Sequence, residues 1–148
     1  MRIESFLPYR LAVVAESMSR QLGAVYAGKH GLTREEWRLL FLIEDAGEID
    51  SLQLAGRTSL DKVQVSRAAT RLEDKALIQR RVSAGDRRLR EYAITEAGRA
   101  LFQQVFGAVE ARAGAIFMAM PAEDRAALEQ GIGALGKAIR QLDDGACG

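Results

Sequence analysis

The chain has 148 residues, 48% of them hydrophobic and 6% aromatic, with a formal net charge of +1. That length suits one domain, or one domain with an extension built for association, and the Ala-, Leu- and Arg-rich mixture leans helical. No apolar run approaches the roughly 18 residues of a membrane span, the N-terminus lacks a signal-peptide cleavage pattern, and the single cysteine, Cys147, allows no intramolecular disulfide. No membrane is therefore expected, and the expected location is a reducing cytoplasm.

The first segment carries Leu11, Val14, Ala15, Met18, Leu22, Val25 and Tyr26 at steps of three and four, one apolar stripe about four turns long. Pro8 suits its first turn, and Gly28 and Gly31 end it. Thr33 and Glu36 form a capping box at the start of the next helix, which runs through Trp37, Leu40, Phe41 and Ile43 to about Gly47. Ile49 is a short apolar bridge. Ser51 is read as the cap of a brief helix, Leu52 to about Arg57. A turn over Thr58–Leu60 follows, and Asp61 with Gln64 makes a second capping box. This second short helix has Val65, Ala68, Ala69 and Leu72 on one face and Lys62, Gln64, Ser66, Arg67, Thr70 and Arg71 on the other. Two short helices joined by a tight turn, the second basic outside, make a helix-turn-helix.

Leu77 and Ile78 are read as the end of that helix. Gln79–Ala84 and Leu89–Thr95 read as two strands, with Gly85-Asp86 as the turn and Arg87 and Arg88 at the tip. A basic hairpin after a helix-turn-helix is a winged helix. Thr95-Glu96-Ala97-Gly98 opens a long helix with Leu101, Phe102, Val105, Phe106, Val109, Ile116 and Phe117 apolar. After Pro121 a last helix carries Leu128, Ile132, Leu135, Ile139 and Leu142. Gly107, Gly114, Gly131, Gly133 and Gly136 lie inside these two helices, at roughly 1 kcal/mol each against Ala, a cost that close helix-helix approach could offset.

Charge is concentrated. Between Arg57 and Arg90 there are ten basic and four acidic residues, so this window is +6 and the remainder of the chain −5. A basic block in an acidic frame suits a polyanion at one place.

These residues resemble the MarR family of winged-helix regulators. The resemblance rests on Leu60–Ala68, Arg71-Leu72-Glu73 and Leu77–Arg80 as recognition helix and exit. It also rests on Asp86-Arg87-Arg88 followed by Ile94-Thr95-Glu96-Ala97-Gly98 as wing, and on Leu32-Thr33 with Glu36-Trp37-Arg38 and Leu40. It covers nearly the whole chain. Two departures stand out: Ala76 where the family usually has Gly, and Ile94 where it usually has Leu. The expected fold is mainly α with a small β-hairpin. A winged helix-turn-helix over 32–95 would be flanked by dimerisation helices over 5–30 and 96–143.

The resemblance implies a homodimer that binds a pseudo-palindromic double-stranded DNA operator, by family default as a repressor. Gln64, Ser66 and Arg67 would read bases, Gln64 by a two-point pair with adenine. Lys62, Thr70 and Arg71 would hold phosphate, Arg71 having an intrahelical pair with Asp74 as its alternative. Val65 would touch a thymine methyl or pack inside. Arg88 would enter the minor groove with Asp86 orienting the loop, and Arg87 would meet phosphate. The family also implies a small, often aromatic or anionic effector, for which Tyr9, Arg10, Tyr26, His30 and Trp37 are the candidate lining residues, with His30 expected in solvent.

No metal site or cofactor is expected from one His and one Cys, and the first helix has no thiol for a redox switch. Adjacent carboxylates such as Glu35/Glu36 point apart on a helix, and no phosphate loop or nucleophile motif is present, so an enzyme is not expected. A helical protein-interaction module would explain the long stripes but not two capping boxes followed by a basic hairpin.

Overall fold

The structure is a computed structural model and describes residues 2–146; Cys147 lies outside the described residues. After a single 3-10 turn at Ile3–Ser5, the elements are α1 (Leu7–Gly28), α2 (Arg34–Ala46), β1 (Glu48–Asp50), α3 (Ser51–Arg57) and α4 (Lys62–Asp74). They continue with β2 (Ile78–Val82), β3 (Arg90–Ile94), α5 (Glu96–Met118) and α6 (Ala122–Ala146). The described residues fall in two compact units, one ending at Glu110 and one beginning at Ala111.

The first unit holds the core. Leu39, Leu40 and Ile43 of α2, Leu54 of α3, Val65, Ala68, Ala69 and Leu72 of α4, Ile78 and Tyr92 of the sheet and Val105 of α5 are buried together. All four buried α4 residues, and all six of the polar ones expected outside, sit where the helical period placed them. The sheet is larger than a hairpin. Ile49 is not a loop bridge but the buried centre of β1, which pairs antiparallel with β3 in the order β1-β3-β2. A two-stranded ribbon is marginal in water, and the third strand together with the core beneath it supports this one.

Several boundaries move for identifiable reasons. Asp50, not Ser51, caps α3: its Oδ1 accepts from the Gln53 N–H at 2.8 Å. Ser51 Oγ instead accepts from the Arg90 N–H at 3.1 Å, tying α3 to the sheet. Thr33 caps α2, with Oγ1 3.1 Å from the Glu36 N–H, but Glu36 does not complete a box. Its carboxylate is buried and takes Lys75 Nζ at 2.7 Å, with Arg71 Nη1 at 3.9 Å. Tertiary charge pairing thus outcompetes the local cap. The box at Asp61 and Gln64 is complete.

α4 ends at Asp74, earlier than the apolar Leu77 and Ile78 suggest, because Ala76 takes φ +58°. The Leu77 N–H donates to Leu72 O and the Ala76 N–H to Glu73 O, closing the helix with a left-handed residue. Leu77 and Ile78 are buried beyond it, and Ile78 opens β2.

The joint is locked from α5. Thr95 Oγ1 donates to Ala76 O at 2.7 Å and accepts the Gly98 N–H at 3.0 Å. A Cβ on Gly98 would lie 2.0 Å from Leu77 O, so only glycine admits this approach. The later glycines of α5 and α6 have no such reason: added Cβ atoms at Gly107, Gly114, Gly131 and Gly133 meet nothing within 4 Å and one at Gly136 meets only the Arg140 side chain of its own helix, so no close helix-helix approach among the described residues accounts for them.

Among the described residues of the second unit none is buried. Leu128, Ile132, Leu135, Ile139 and Leu142 of α6 are all exposed at steps of three and four. No single helix among the described residues is long and apolar enough to cross a membrane.

Candidate nucleic-acid interface

The outer face of α4 presents Lys62, Gln64, Ser66, Arg67, Thr70 and Arg71, all exposed. Val65 is buried and packs inside, which leaves it no base to touch. The residue that sequence patterning passed over is Val63, apolar and 56% exposed on the same outer face. Its signal was available: a valine two residues before the first of the buried stripe lies on the opposite face of a helix.

The side chains differ in freedom. Gln64 Oε1 accepts the Asp61 N–H at 3.1 Å, so its carbonyl oxygen is engaged and its NH2 group is left to donate. A two-point adenine pair needs both groups, so that expectation conflicts with the cap. Thr70 Oγ1 donates to Ser66 O at 2.9 Å. The ionic neighbour of Arg71 is Glu36 rather than Asp74.

The wing tip is a clip. Asp86 Oδ1 accepts the Arg88 N–H at 3.0 Å and Nε at 3.1 Å, and Oδ2 accepts Nη2 at 3.0 Å. The Arg88 guanidinium, and then its backbone N–H, hold the Asp86 carboxyl below its ordinary value. The Arg88 side chain nevertheless stays 87% exposed. Arg87 is exposed too, and its carbonyl accepts Arg90 Nη1 at 3.4 Å. The turn spans more than Gly85-Asp86: Ser83 N–H donates to Leu89 O, and Leu89 N–H to Asp86 O.

Below the tip a second network crosses the sheet. Arg81 Nε donates to Glu91 Oε2 at 2.9 Å, Arg81 also pairs with Glu48, and Ser83 Oγ donates to Glu91 Oε1 at 3.1 Å. Arg81 is the main cause of a lowered Glu91 pKa.

Between α4 and the wing lies a groove of about 400 Å³ lined by Lys62, Ser66, Arg80, Arg88 and Arg90. Arg80 and Arg90 were counted in the basic block but not as site residues. The register finds them: Arg80 opposes Tyr92 and Val82 opposes Arg90, so the period of two puts both arginines on one face. A convex basic helix beside a basic hairpin matches the major groove and adjacent minor groove of a duplex.

The MarR family model matches residues 30–89, from the turn before α2 to the wing. The fold is that of the MarR family. Solved MarR-type structures are superposable over most of the chain. A mutant MarR from E. coli in complex with operator DNA is 21% identical, with a TM-score of 0.79 over 88% of this chain and 94% of that one. AbsC from Streptomyces coelicolor is 22% identical, with a TM-score of 0.80 over 95% and 97%. NadR in complex with 4-hydroxyphenylacetate is 22% identical, with a TM-score of 0.79 over 92% and 98%.

MarR-type effector residues were expected among Tyr9, Arg10, Tyr26, His30 and Trp37, and the structure separates them. Tyr9 and Arg10 are exposed in the first turns of α1, and His30 is half-buried in the turn after it. Tyr26 and Trp37 come together, ring centroids 5.6 Å apart, and Trp37 stacks in turn on Phe102 at 5.4 Å. Tyr26, Trp37 and Phe41 wall a cavity of about 350 Å³ that also meets Arg34, Arg38 and Arg57. Burial pushes the Tyr26 hydroxyl pKa up, against the pull of the Arg34 and Arg38 charges. The three arginines carried no sequence signal, because α2 and α3 bring them together only in the fold.

Proposed function

We propose that the protein is a homodimeric, sequence-specific DNA-binding transcriptional repressor of the cytoplasm, released from its operator by a small aromatic anion. The observation that carries the DNA reading is the exposed face of α4, with Lys62, Gln64, Ser66, Arg67, Thr70 and Arg71, set beside the wing arginines Arg87 and Arg88 across a basic groove. Arg67 projects from the middle of that face and is the best base reader. Lys62, Thr70 and Arg71 grip phosphate, and Arg88 enters the minor groove with Asp86 aiming it. The E. coli MarR relative, solved on operator DNA, supports the docking.

The effector reading rests on the cavity. An aromatic wall of Tyr26, Trp37 and Phe41 with three guanidiniums suits a ring bearing a carboxylate. The ligand printed for NadR, 4-hydroxyphenylacetate, has that chemistry. Release follows from what the arginines already hold: Arg38 Nη1 donates to Ser59 Oγ at 2.7 Å and Arg57 Nη2 to Asp45 Oδ2 at 2.8 Å. A carboxylate that recruits Arg38 frees Ser59, in the turn that leads into α4, and biases the recognition helix.

The test is an electrophoretic shift with duplex DNA from upstream of the protein's own gene, at several salt concentrations. Arg67→Ala should cost about 1–3 kcal/mol and relax preference at one base position. Arg88→Ala should weaken all sequences alike and lower the salt slope by about 1. Addition of 4-hydroxyphenylacetate should release the complex, and Trp37→Ala should blunt that release. No shift at low salt, or parent-like binding by both arginine variants, would sink the reading.

A further inference from the structure

Val63 is an apolar residue on a polar face. Val63, Arg67 and Thr70 recur at helical steps of four and three, so they share the outermost stripe of α4, opposite the buried Val65, Ala68, Ala69 and Leu72. A valine there contributes little to the isolated chain. Its β-branch lowers helix propensity slightly, and its surface stays 56% exposed.

Only a partner can cover Val63, and its surroundings restrict that partner. Lys62, Arg67 and Arg71 flank it on the helix, and Arg88 shares the adjoining groove with Lys62. The partner must therefore carry negative charge and still offer an apolar group at the surface. Duplex DNA satisfies both demands, and the apolar group it displays in the major groove is the thymine C5-methyl.

Resting on the DNA-binding reading above, we infer that Val63 is a specificity-determining residue that recognises a thymine through its methyl group. Gln64 complements it. With Oε1 engaged by Asp61, Gln64 can only donate, and a thymine edge presents an O4 acceptor beside the methyl. The first turn of α4 thus offers an apolar contact and a donor, which is what that edge receives.

The experiment uses the full chain. Duplexes are selected by the protein from a random-sequence pool, and the winning duplex is resynthesised with deoxyuridine in place of each thymine in turn. This removes the methyl and nothing else. At one or more positions the parent protein should bind about fourfold more weakly, the effect expected for losing one buried methyl-sized apolar group. Val63→Ser should show no further loss at that position, while Val63→Ile should keep it. Circular dichroism melting of both variants checks that each is folded. Equal tolerance of deoxyuridine at every position by the parent protein overturns the assignment. So does a deoxyuridine penalty that survives in Val63→Ser. If no duplex is enriched at all, the DNA-binding reading itself fails and takes this assignment with it.

Discussion

Ala76 sits at φ +58°, a conformation in which an L side chain crowds its own backbone. Here the cost is borne because three bonds converge on the joint: Leu77 N–H to Leu72 O, Ala76 N–H to Glu73 O, and Thr95 Oγ1 to Ala76 O. Removing the Cβ should relieve the crowding without touching those bonds. Ala76→Gly is expected to stabilise the protein by about 1 kcal/mol, read as a higher urea midpoint at unchanged slope. Gly98, on the other side of the same joint, should behave oppositely. Its missing Cβ leaves room for Leu77 O, and Gly98→Ala forces the two apart. A loss of about 3 kcal/mol is expected, seen as a lower thermal midpoint. A parent-like melt for Gly98→Ala would mean that α5 can shift freely against β2.

At the level of elements, the wing and the recognition helix are held by different devices. The recognition helix is anchored at its far end by the buried Glu36 carboxylate, which takes Lys75 while Lys75 Nζ also donates to Gly31 O at 3.2 Å. The wing is held by exposed carboxylate–guanidinium clips. The Asp86 and Glu91 pKa values are both lowered in the folded chain, by Arg88 and by Arg81 respectively. The sign follows from that direction. Each clip is fully formed above the ordinary carboxylate range of about pH 4 and is lost as pH falls through the depressed folded value. An NMR titration of the Arg88 Nε–H from pH ~6 to ~2 should show its shift unchanged until below the ordinary Asp value. A transition at the ordinary value would mean that Asp86 does not hold Arg88 in solution.

At the scale of the molecule, the apolar surface left over is what calls for a second copy. Leu128, Ile132, Leu135, Ile139 and Leu142 form one exposed stripe on α6, and α1 leaves Leu7, Leu11 and Val14 exposed as well. Water-exposed stripes of this length are costly in a monomer. In the proposed dimer they are covered, so Ile132→Asp should yield monomers by sedimentation equilibrium and weaken operator binding by removing the second half-site. A dimer that persists in Ile132→Asp would place the interface elsewhere.

Local chemistry determined much of this protein from sequence alone. The spacing of Val65, Ala68, Ala69 and Leu72, the box of Asp61 and Gln64, and the strand pattern around Arg88 are set by neighbours within a few residues, and helix and hairpin geometry follow from them. Tertiary structure decided what depends on distant partners. Ile49 became a strand because β3 lay open beside it, and Glu36 left its cap because Lys75, just past the end of α4, offered a charge. Arg34, Arg38 and Arg57 faced one cavity only once α2 and α3 had packed. The periodicity of the chain could announce a basic helix and a wing, but which of their side chains remained free was a matter of charge and burial across elements, which no local pattern encodes.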